Sequence, residues 1–498
     1  VIENVSPLID GGRHPIKRVT GEDLLVQADV FKDGHDIVAA ALKWRQLGGG
    51  KWFETPMHPV PNVNDRWVGT CSFFENTTYE FTIEAWTDTF KSWQHEFRKK
   101  YEGGLKDLAS ETLEGAGLLK AAAARAASFP EPGPADGKRL EQIAEQMKAA
   151  EPKEVDEIAH WTELEVLMAH YAARVNPTEF RLDAGTDLSV RVSGVGGGSK
   201  SKMGNKVACP PAAYPRVSVD RERAKFAAWY EFFPRSAEGK ADSGSTFREC
   251  LGRIDDAKAM GFDVIYFPPI HPIGMTNRKG RNNSVKCEPG EPGVPYAIGN
   301  RFLGCPNGGG HKDLAPELGT FKDFEWLIKE LEKRGMELAI DFAINSSPDH
   351  PYVAEHPDWF YKRPDGTIKY AENPPKKYED VYPVNFWCED WRALWEEMAS
   401  IILFWCEKKV RIFRVDNPHT KPVAFWEFLI GKVRAKYPDT VFLSEAFTRP
   451  QMMKALAKIG FNQSYTYFTW RNSKTELTEY FTELTQTEMA EYFRGNLF

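Results

Sequence analysis

The chain has 498 residues, 42% of them apolar, a net charge of −7 and a pI of about 6, enough material for two or three domains with sizeable cores. Its Lys and Arg are scattered rather than blocked, which argues against nucleic acid or an anionic membrane as a partner. No apolar run approaches the roughly 20 residues of a membrane helix, and VIENVSPLIDGG lacks the regions of a signal peptide, so the expectation is a soluble, cytoplasmic protein.

Residues 1 to about 104 carry short strand-like runs, such as DLLVQADVF and TTYEFTIEAW, separated by Gly, Pro and Asn turns, and predict a β-sandwich. From about 105 to 176 the texture turns to Ala, Leu, Glu and Lys, with Leu140, Ile143 and Met147, then Trp161, Leu164, Leu167 and Tyr171, at helical spacing. The breaker FPEPGP interrupts these helices, and strand texture returns over 177–221 in DLSVRVSGV and PRVSVD, so the helices are read as an insertion into the sandwich. GVGGGSKS, residues 194–201, nearly matches a phosphate-binding loop, but Ser199 replaces the second required Gly, and the segment is read as a mobile loop.

From residue 222 onward the pattern alternates. AKFAAWYEFF, DVIYFPPI, MELAIDFAIN, VRIFRVD, VFLSEAF and FNQSYTY are six expected strands, with amphipathic helices such as FKDFEWLIKELEKRG and WRALWEEMASIILFWCEKK between them. Continuous apolar strands alternating with helices predict a parallel sheet, either a barrel or doubly wound. Seven widely spaced cysteines without a Cys-x-x-Cys pair are read as free thiols in a reducing compartment. The 13% aromatic content suits a protein that packs or grips sugar rings, though large cores are aromatic too.

Asp416 closes the run VRIFRVD and Glu445 closes VFLSE, the next strand along the chain. Neighbouring strands lie about 4.8 Å apart, and a carboxylate pair about 5 to 5.5 Å apart is the spacing of a retaining glycosidase, with one nucleophile and one acid/base. The same two residues could equally be loop carboxylates capping helices. Arg414 precedes Asp416 by two residues, on the same strand face, where it can orient the carboxylate through a charge-assisted hydrogen bond. His350 and His419 are read as hydrogen-bonding rim residues, since neither has a His or Cys partner at metal-ligand spacing.

The pieces PELGTFKDFEWLIKELEKRGMELAIDFAIN, RIFRVDNPH and FLSEAF resemble successive motifs of the α-amylase superfamily of (β/α)₈-barrel enzymes. Within it, DNPHTKP, SEAFTRP, NPPKKYEDVYPVNF, HPIGMTNRKGRNNS and QSYTYFTWRN are similar to the α-1,4-glucan:maltose-1-phosphate maltosyltransferases, and the likeness runs from ENVSPLIDGGRHPIKR to the last residue. The resemblance implies a donor, α-maltose 1-phosphate, an α-1,4-glucan acceptor, a homodimer and no metal or organic cofactor. It implies Asp416 as nucleophile, Glu445 as acid/base, Arg414 as orienter, and Asp341 in support. Lys279, Asn345, Asn373, Lys376, Tyr378, Asp380 and Asn417 match positions expected to bind the donor, while Lys377 stays open. Ser346 stands where amylases place a His, so contacts to the first sugar should differ from those of a hydrolase.

Six strands are two short of a closed barrel, and the superfamily's third catalytic carboxylate is expected beyond Phe498. The expectation is therefore an incomplete barrel, from a fragment of a longer protein or the product of a split gene. A chain of this extent alone should be unstable at its open edge and turn over little. Two other readings stand beside the transferase: an amylase-type hydrolase or glucanotransferase, and a non-catalytic glucan-binding protein.

Overall fold

The computed structural model describes residues 1–182, 214–240, 244–302 and 304–495. The expected strand DLSVRVSGV and the loop GVGGGSKS lie outside the described residues. The first eight strands are β1 (Ile2–Ser6), β2 (Ile16–Val19), β3 (Asp23–Val30), β4 (Val38–Gln46), β5 (Phe53–Pro56), β6 (His58–Pro59), β7 (Arg66–Ser72) and β8 (Thr78–Thr87). Alternation explains them: in β3, Leu24, Val26, Ala28 and Val30 are buried and the residues between them lean outward.

Five helices follow, α1 (Thr89–Glu102), α2 (Ala109–Ala126), α3 (Gly133–Ala149), α4 (Pro152–Ala159) and α5 (Thr162–Tyr171). The helical run therefore begins at Thr89, well before the expected boundary near 105. Asp88 caps α1 by accepting the Lys91 N–H at 2.9 Å, directly after β8, so no loop announces the change. Phe90, Trp93 and Phe97 turn toward a separate core shared with Leu119, Leu140, Ile143, Met147 and Leu164. Strands β9 (Val175–Glu179) and β10 (Arg216–Asp220) return to the sandwich. Its sheets have the orders β1-β3-β7-β6 and β2-β10-β8-β4-β5, with β9 also paired to β8.

The remaining strands and helices are β11 (Trp229–Glu231), α6 (Leu251–Ala259), β12 (Val264–Phe267), α7 (Phe321–Lys333), β13 (Glu337–Phe342), β14 (Asn345–Ser346), α8 (Pro351–Glu355), β15 (Ala371–Asn373), β16 (Lys376–Tyr378), β17 (Tyr382–Pro383), α9 (Trp391–Glu407), β18 (Ile412–Asp416), α10 (Val423–Lys436), β19 (Val441–Glu445), α11 (Pro450–Lys458), β20 (Gln463–Ser464) and α12 (Lys474–Gln486). The six strands expected from the sequence form one all-parallel sheet in chain order, β11-β12-β13-β18-β19-β20. A doubly wound sheet reverses its strand order once, and this one never does. With right-handed crossovers, a one-directional order keeps the helices on one face. That face packs Phe413, Val415, Phe442 and Ile340 against α7, α9 and α10. The opposite face carries an apolar floor of Val264, Ala339, Ile412 and Val441.

Sandwich and parallel sheet share a core, since Met453 and Ala457 of α11 join Ile16, Leu24 and Phe81. Lys17 of β2 crosses this boundary, 5% exposed, donating to the carbonyl oxygens of Ala457 (2.6 Å) and Phe461. Asp220 of β10 lies beside it and accepts from Arg434 (2.5 Å) and Arg494 (2.6 Å). Burial, then the charge of Arg494, brings the Lys17 amine down to about 7. A neutral amine still has the two N–H groups that two carbonyls require. Between pH 7 and the ordinary value of 10.5 the unfolded chain carries a proton at this amine that the folded chain lacks, so stability should rise with pH there. A melting series over that range should show a smaller upward slope in Lys17→Met than in the wild type. Equal slopes would contradict the assignment.

Among the described residues no helix is long and apolar enough to cross a membrane. The described cysteines, Cys71, Cys250, Cys287, Cys305, Cys388 and Cys406, are free, and four of them are buried.

Candidate active site

The inner face of the parallel sheet changes character along its strands. Period-two alternation puts Val264 and Tyr266, Ala339 and Asp341, Ile412, Arg414 and Asp416, and Val441, Leu443 and Glu445 on that face. Register then stacks them: Ala339 pairs with Ile412 and Ile412 with Val441, Asp341 pairs with Arg414, and Asp416 pairs with Glu445 at the carboxyl ends. An apolar floor thus supports a charged layer, with two carboxylates at the rim of adjacent strands.

Arg414 joins them. Its Nη1 donates to Asp341 Oδ2 at 2.9 Å and to Asp416 Oδ1 at 3.1 Å, and its Nη2 lies 3.3 Å from Glu445 Oε1. Asp341, 1% exposed, also accepts at Oδ2 from the hydroxyls of Tyr266 and Tyr296, the latter at 3.2 Å. Burial pushes the Asp341 carboxyl up, and the neighbouring guanidinium pulls it back. For Arg414 burial works against the charge, and the carboxylates, Asp341 first, more than offset it. Burial likewise raises Glu445, against Arg414 and the N–H of Asn417, which donates to Glu445 Oε2 at 3.1 Å. A carboxyl raised toward neutrality by burial thus stands beside one hydrogen-bonded to a guanidinium.

A second cluster surrounds Lys279, whose Nζ lies 2.6 Å from Glu379 Oε2. Lys279 and Asp380 are each 3% exposed, and burial raises the Asp380 carboxyl while Lys279 opposes it. Asn345 sits in β14, antiparallel to β17 and opposite Pro383. The loop ENPPKKYED is a hairpin in which Asn373 pairs with Lys376 and Ala371 with Tyr378. Directly opposed residues share a face, so Asn373, Lys376 and Tyr378 stand together, and Lys377 stands on the other face with Glu372. Among the described residues none of these donor candidates is hydrogen-bonded to Asp416 or Glu445; Asn417 alone reaches the rim pair.

His350 departs from its expected place on the rim. It is 1% exposed, and its Nδ1 accepts the Tyr352 N–H at 3.1 Å, capping α8. Its Nε2 must then donate to His311 Nδ1 at 3.0 Å, leaving His311 Nε2 to donate to the Ala343 carbonyl at 2.8 Å. Burial lowers all three buried histidines, with His311 at about 4 and His271 at about 3. They form neutral scaffolding. His419 is half-buried near the site, lowered by burial and then by Lys421.

Sequence reasoning missed Tyr266, Tyr296, Glu379 and Lys421. Tyr266 had a usable signal, being two residues after Val264 in a strand whose neighbours alternate. Tyr296 comes from a loop 45 residues upstream of Asp341 in the chain and had none.

The sequence profile described as "Alpha-1,4-glucan:maltose-1-phosphate maltosyltransferase, domain N/S" matches residues 1–185. Proteins named alpha-1,4-glucan:maltose-1-phosphate maltosyltransferase match along the whole chain. That of Myxococcus xanthus is 46% identical, over 100% of this chain and 69% of its own length. That of Pseudomonas aeruginosa is 43% identical, over 100% and 68%. One from Streptomyces coelicolor is 45% identical, over 99% and 67%. Among solved structures, an α-amylase from Lactobacillus plantarum is 24% identical over 53% of this chain and 60% of its own, with a TM-score of 0.42. Near-complete coverage of this chain at such identity shows that it belongs to the α-1,4-glucan:maltose-1-phosphate maltosyltransferase family.

Proposed function

We propose that the protein transfers maltosyl units from α-maltose 1-phosphate to the non-reducing end of an α-1,4-glucan, with phosphate release and retention of configuration. One observation carries the chemistry: Asp416 and Glu445 stand in register at the carboxyl ends of adjacent parallel strands, both within reach of Arg414. Membership of the family supplies the donor and acceptor classes. The six strands in one winding direction support reading the sheet as part of a (β/α)₈ barrel, preceded by a sandwich with a helical insertion. The same reading includes a homodimer, which sedimentation equilibrium would test; a monomer at micromolar concentration would exclude it.

In the first half-reaction the Asp416 carboxylate attacks C1 of the donor from the β face. The bond from C1 to the phosphate oxygen breaks, its electron pair leaves with phosphate, and Glu445 gives its proton to that oxygen. A β-maltosyl ester on Asp416 results. In the second half-reaction Glu445, now ionised, takes the proton of the acceptor 4-hydroxyl as that oxygen attacks C1. The ester bond breaks, Asp416 returns to carboxylate, and two inversions leave an α linkage. Arg414 aims Asp416 through a charge-assisted hydrogen bond, and Asp341 fixes Arg414.

Asn373, Lys376 and Tyr378, on one face of the hairpin, supply an ammonium and two hydrogen-bond donors suited to a phosphate dianion. Lys279, Asp380, Asn345 and Asn417 complete the proposed donor site, although Lys279 must share its charge with Glu379.

Incubating the complete natural gene product with maltose 1-phosphate and a maltooligosaccharide tests this reading. Products longer by two glucose units, with one phosphate released per transfer, are expected. Free maltose formed from water, without phosphate dependence, would mean a hydrolase; no turnover and simple glucan binding would mean a binding protein. In the same assay Lys376→Ala should raise the donor KM roughly tenfold, the scale of one charge-assisted hydrogen bond, while Lys377→Ala should leave it nearly unchanged. Equal effects would remove the hairpin face from the site.

A further inference from the structure

The segment between the proposed nucleophile and α10 is shaped in a way that the transfer steps above do not use. Asn417 has φ 43° and ψ 53°, the left-handed region that Asn tolerates better than most residues with a side chain. Its N–H is the group that donates to Glu445 Oε2. Its carbonyl oxygen accepts from Thr420 Oγ1 at 2.7 Å and from Lys421 Nζ at 3.3 Å. The same ammonium lies 3.5 Å from the Asp416 carbonyl oxygen. Among the described residues no carboxylate side chain forms an ion pair with Lys421. A half-buried cation here spends its hydrogen bonds on the two backbone carbonyls that flank the left-handed turn.

We propose that Lys421 is a positioning residue, clamping the Asn417 turn so that Asp416 and Glu445 stay in register and Glu445 can ionise as the base of the second half-reaction. The inference rests on the maltosyl-transfer reading. Two routes lead from Lys421 to Glu445. One is direct: burial lowers the Lys421 amine, Asp416 and Glu445 pull it back toward the charged form, and that charge in turn favours the ionised Glu445 carboxylate. The other runs through the backbone: the Asp416 carbonyl that Lys421 touches shares a planar peptide unit with the Asn417 N–H, so if that carbonyl swings away, the N–H leaves Glu445 as well. Trp426 Nε1, donating to the Pro418 carbonyl at 2.8 Å, secures the far side of the same turn.

The groups facing Glu445 come from several elements. Arg414 and Asp416 belong to β18, Asn417 and Lys421 to the turn, and Tyr465 follows β20. Asp341, Tyr266, Tyr296 and Glu231 act on Arg414, and His419 lies in the field of Lys421. Arg414, the Asn417 N–H and Lys421 each favour the ionised form of Glu445, so removing Lys421 takes away one of these influences and loosens another.

The test is the pH dependence of kcat/KM for the acceptor in the complete natural gene product. Asp416 is esterified in that step, so the acid limb reports Glu445. Lys421→Met and Lys421→Gln should lose roughly 10- to 100-fold, the scale of a small misplacement of reacting groups. Their acid limb should move up by about one pH unit, the scale of one lost neighbouring charge. Lys421→Arg should restore the limb. Circular dichroism checks folding, and the Gln variant carries the test if the Met variant does not fold. A uniform loss of rate with an unmoved limb, or a limb that Arg does not restore, overturns the proposal. So does failure of both neutral variants to fold, which would make Lys421 a structural strut. Absence of phosphate release from the wild type itself would instead reject the maltosyl-transfer reading.

Discussion

Replacing Asp416 by asparagine is expected to lower maltosyl transfer and phosphate release together by about 10⁴-fold or more, the scale seen when a residue central to covalent catalysis is removed. The change is nearly isosteric. The amide oxygen can still accept from Arg414 Nη1, now 3.1 Å from Asp416 Oδ1, so the guanidinium keeps its place between β13 and β19. An uncharged amide cannot form the ester with C1. Donor affinity, measured by calorimetry, should stay within a few-fold of the wild type, because phosphate and sugar contacts are assigned elsewhere. A variant that kept more than about a hundredth of the wild-type rate would remove Asp416 from the reaction.

Glu445→Ala should have the second largest effect, with a different signature. Phosphate leaves readily without an acid, so the first half-reaction should proceed and the second should stall, lowering turnover by roughly 10² to 10⁴. Rapid mixing with maltose 1-phosphate should then give a burst of about one phosphate per active site. Mass spectrometry of the quenched protein should find one maltosyl residue on the peptide carrying Asp416. Equal slowing of both half-reactions, without a burst, would show that Glu445 is not the base. Loss of Glu445 also strips Arg414 Nη2 of a partner 3.3 Å away, so a melting curve should accompany the kinetics.

Much of this site is legible in the sequence because strand texture is local. VRIFRVD and VFLSE each end an apolar run on a carboxylate, and a period of two places Arg414 on the same face as Asp416 without knowledge of any other strand. The six parallel strands are legible for the same reason: apolar runs with helices between them exclude an antiparallel meander. The start of α1 is harder, because β8 passes into the helix through the single cap Asp88 and both elements are rich in aromatic residues. Lys376 and Lys377 are adjacent and identical in type, and only the pairing of Asn373 with Lys376 separates their faces. His350 is expected on the rim, yet contacts with His311 and Tyr352 draw it into the interior.

By itself the sequence determined which residues could take part: two strand-end carboxylates, an arginine two positions before one of them, and a lysine-bearing loop with two prolines. Local periodicity and backbone preference act over a few residues, and these features need no more. The tertiary structure alone decided that Asp416 faces Glu445, that Asp341 and two tyrosines hold Arg414, that Glu379 takes the charge of Lys279, and that Lys421 turns onto the Asp416 and Asn417 carbonyls. Strand order and register are set by hydrogen bonding and packing between segments far apart in the chain, so the partners of a buried charge become visible only when those segments meet.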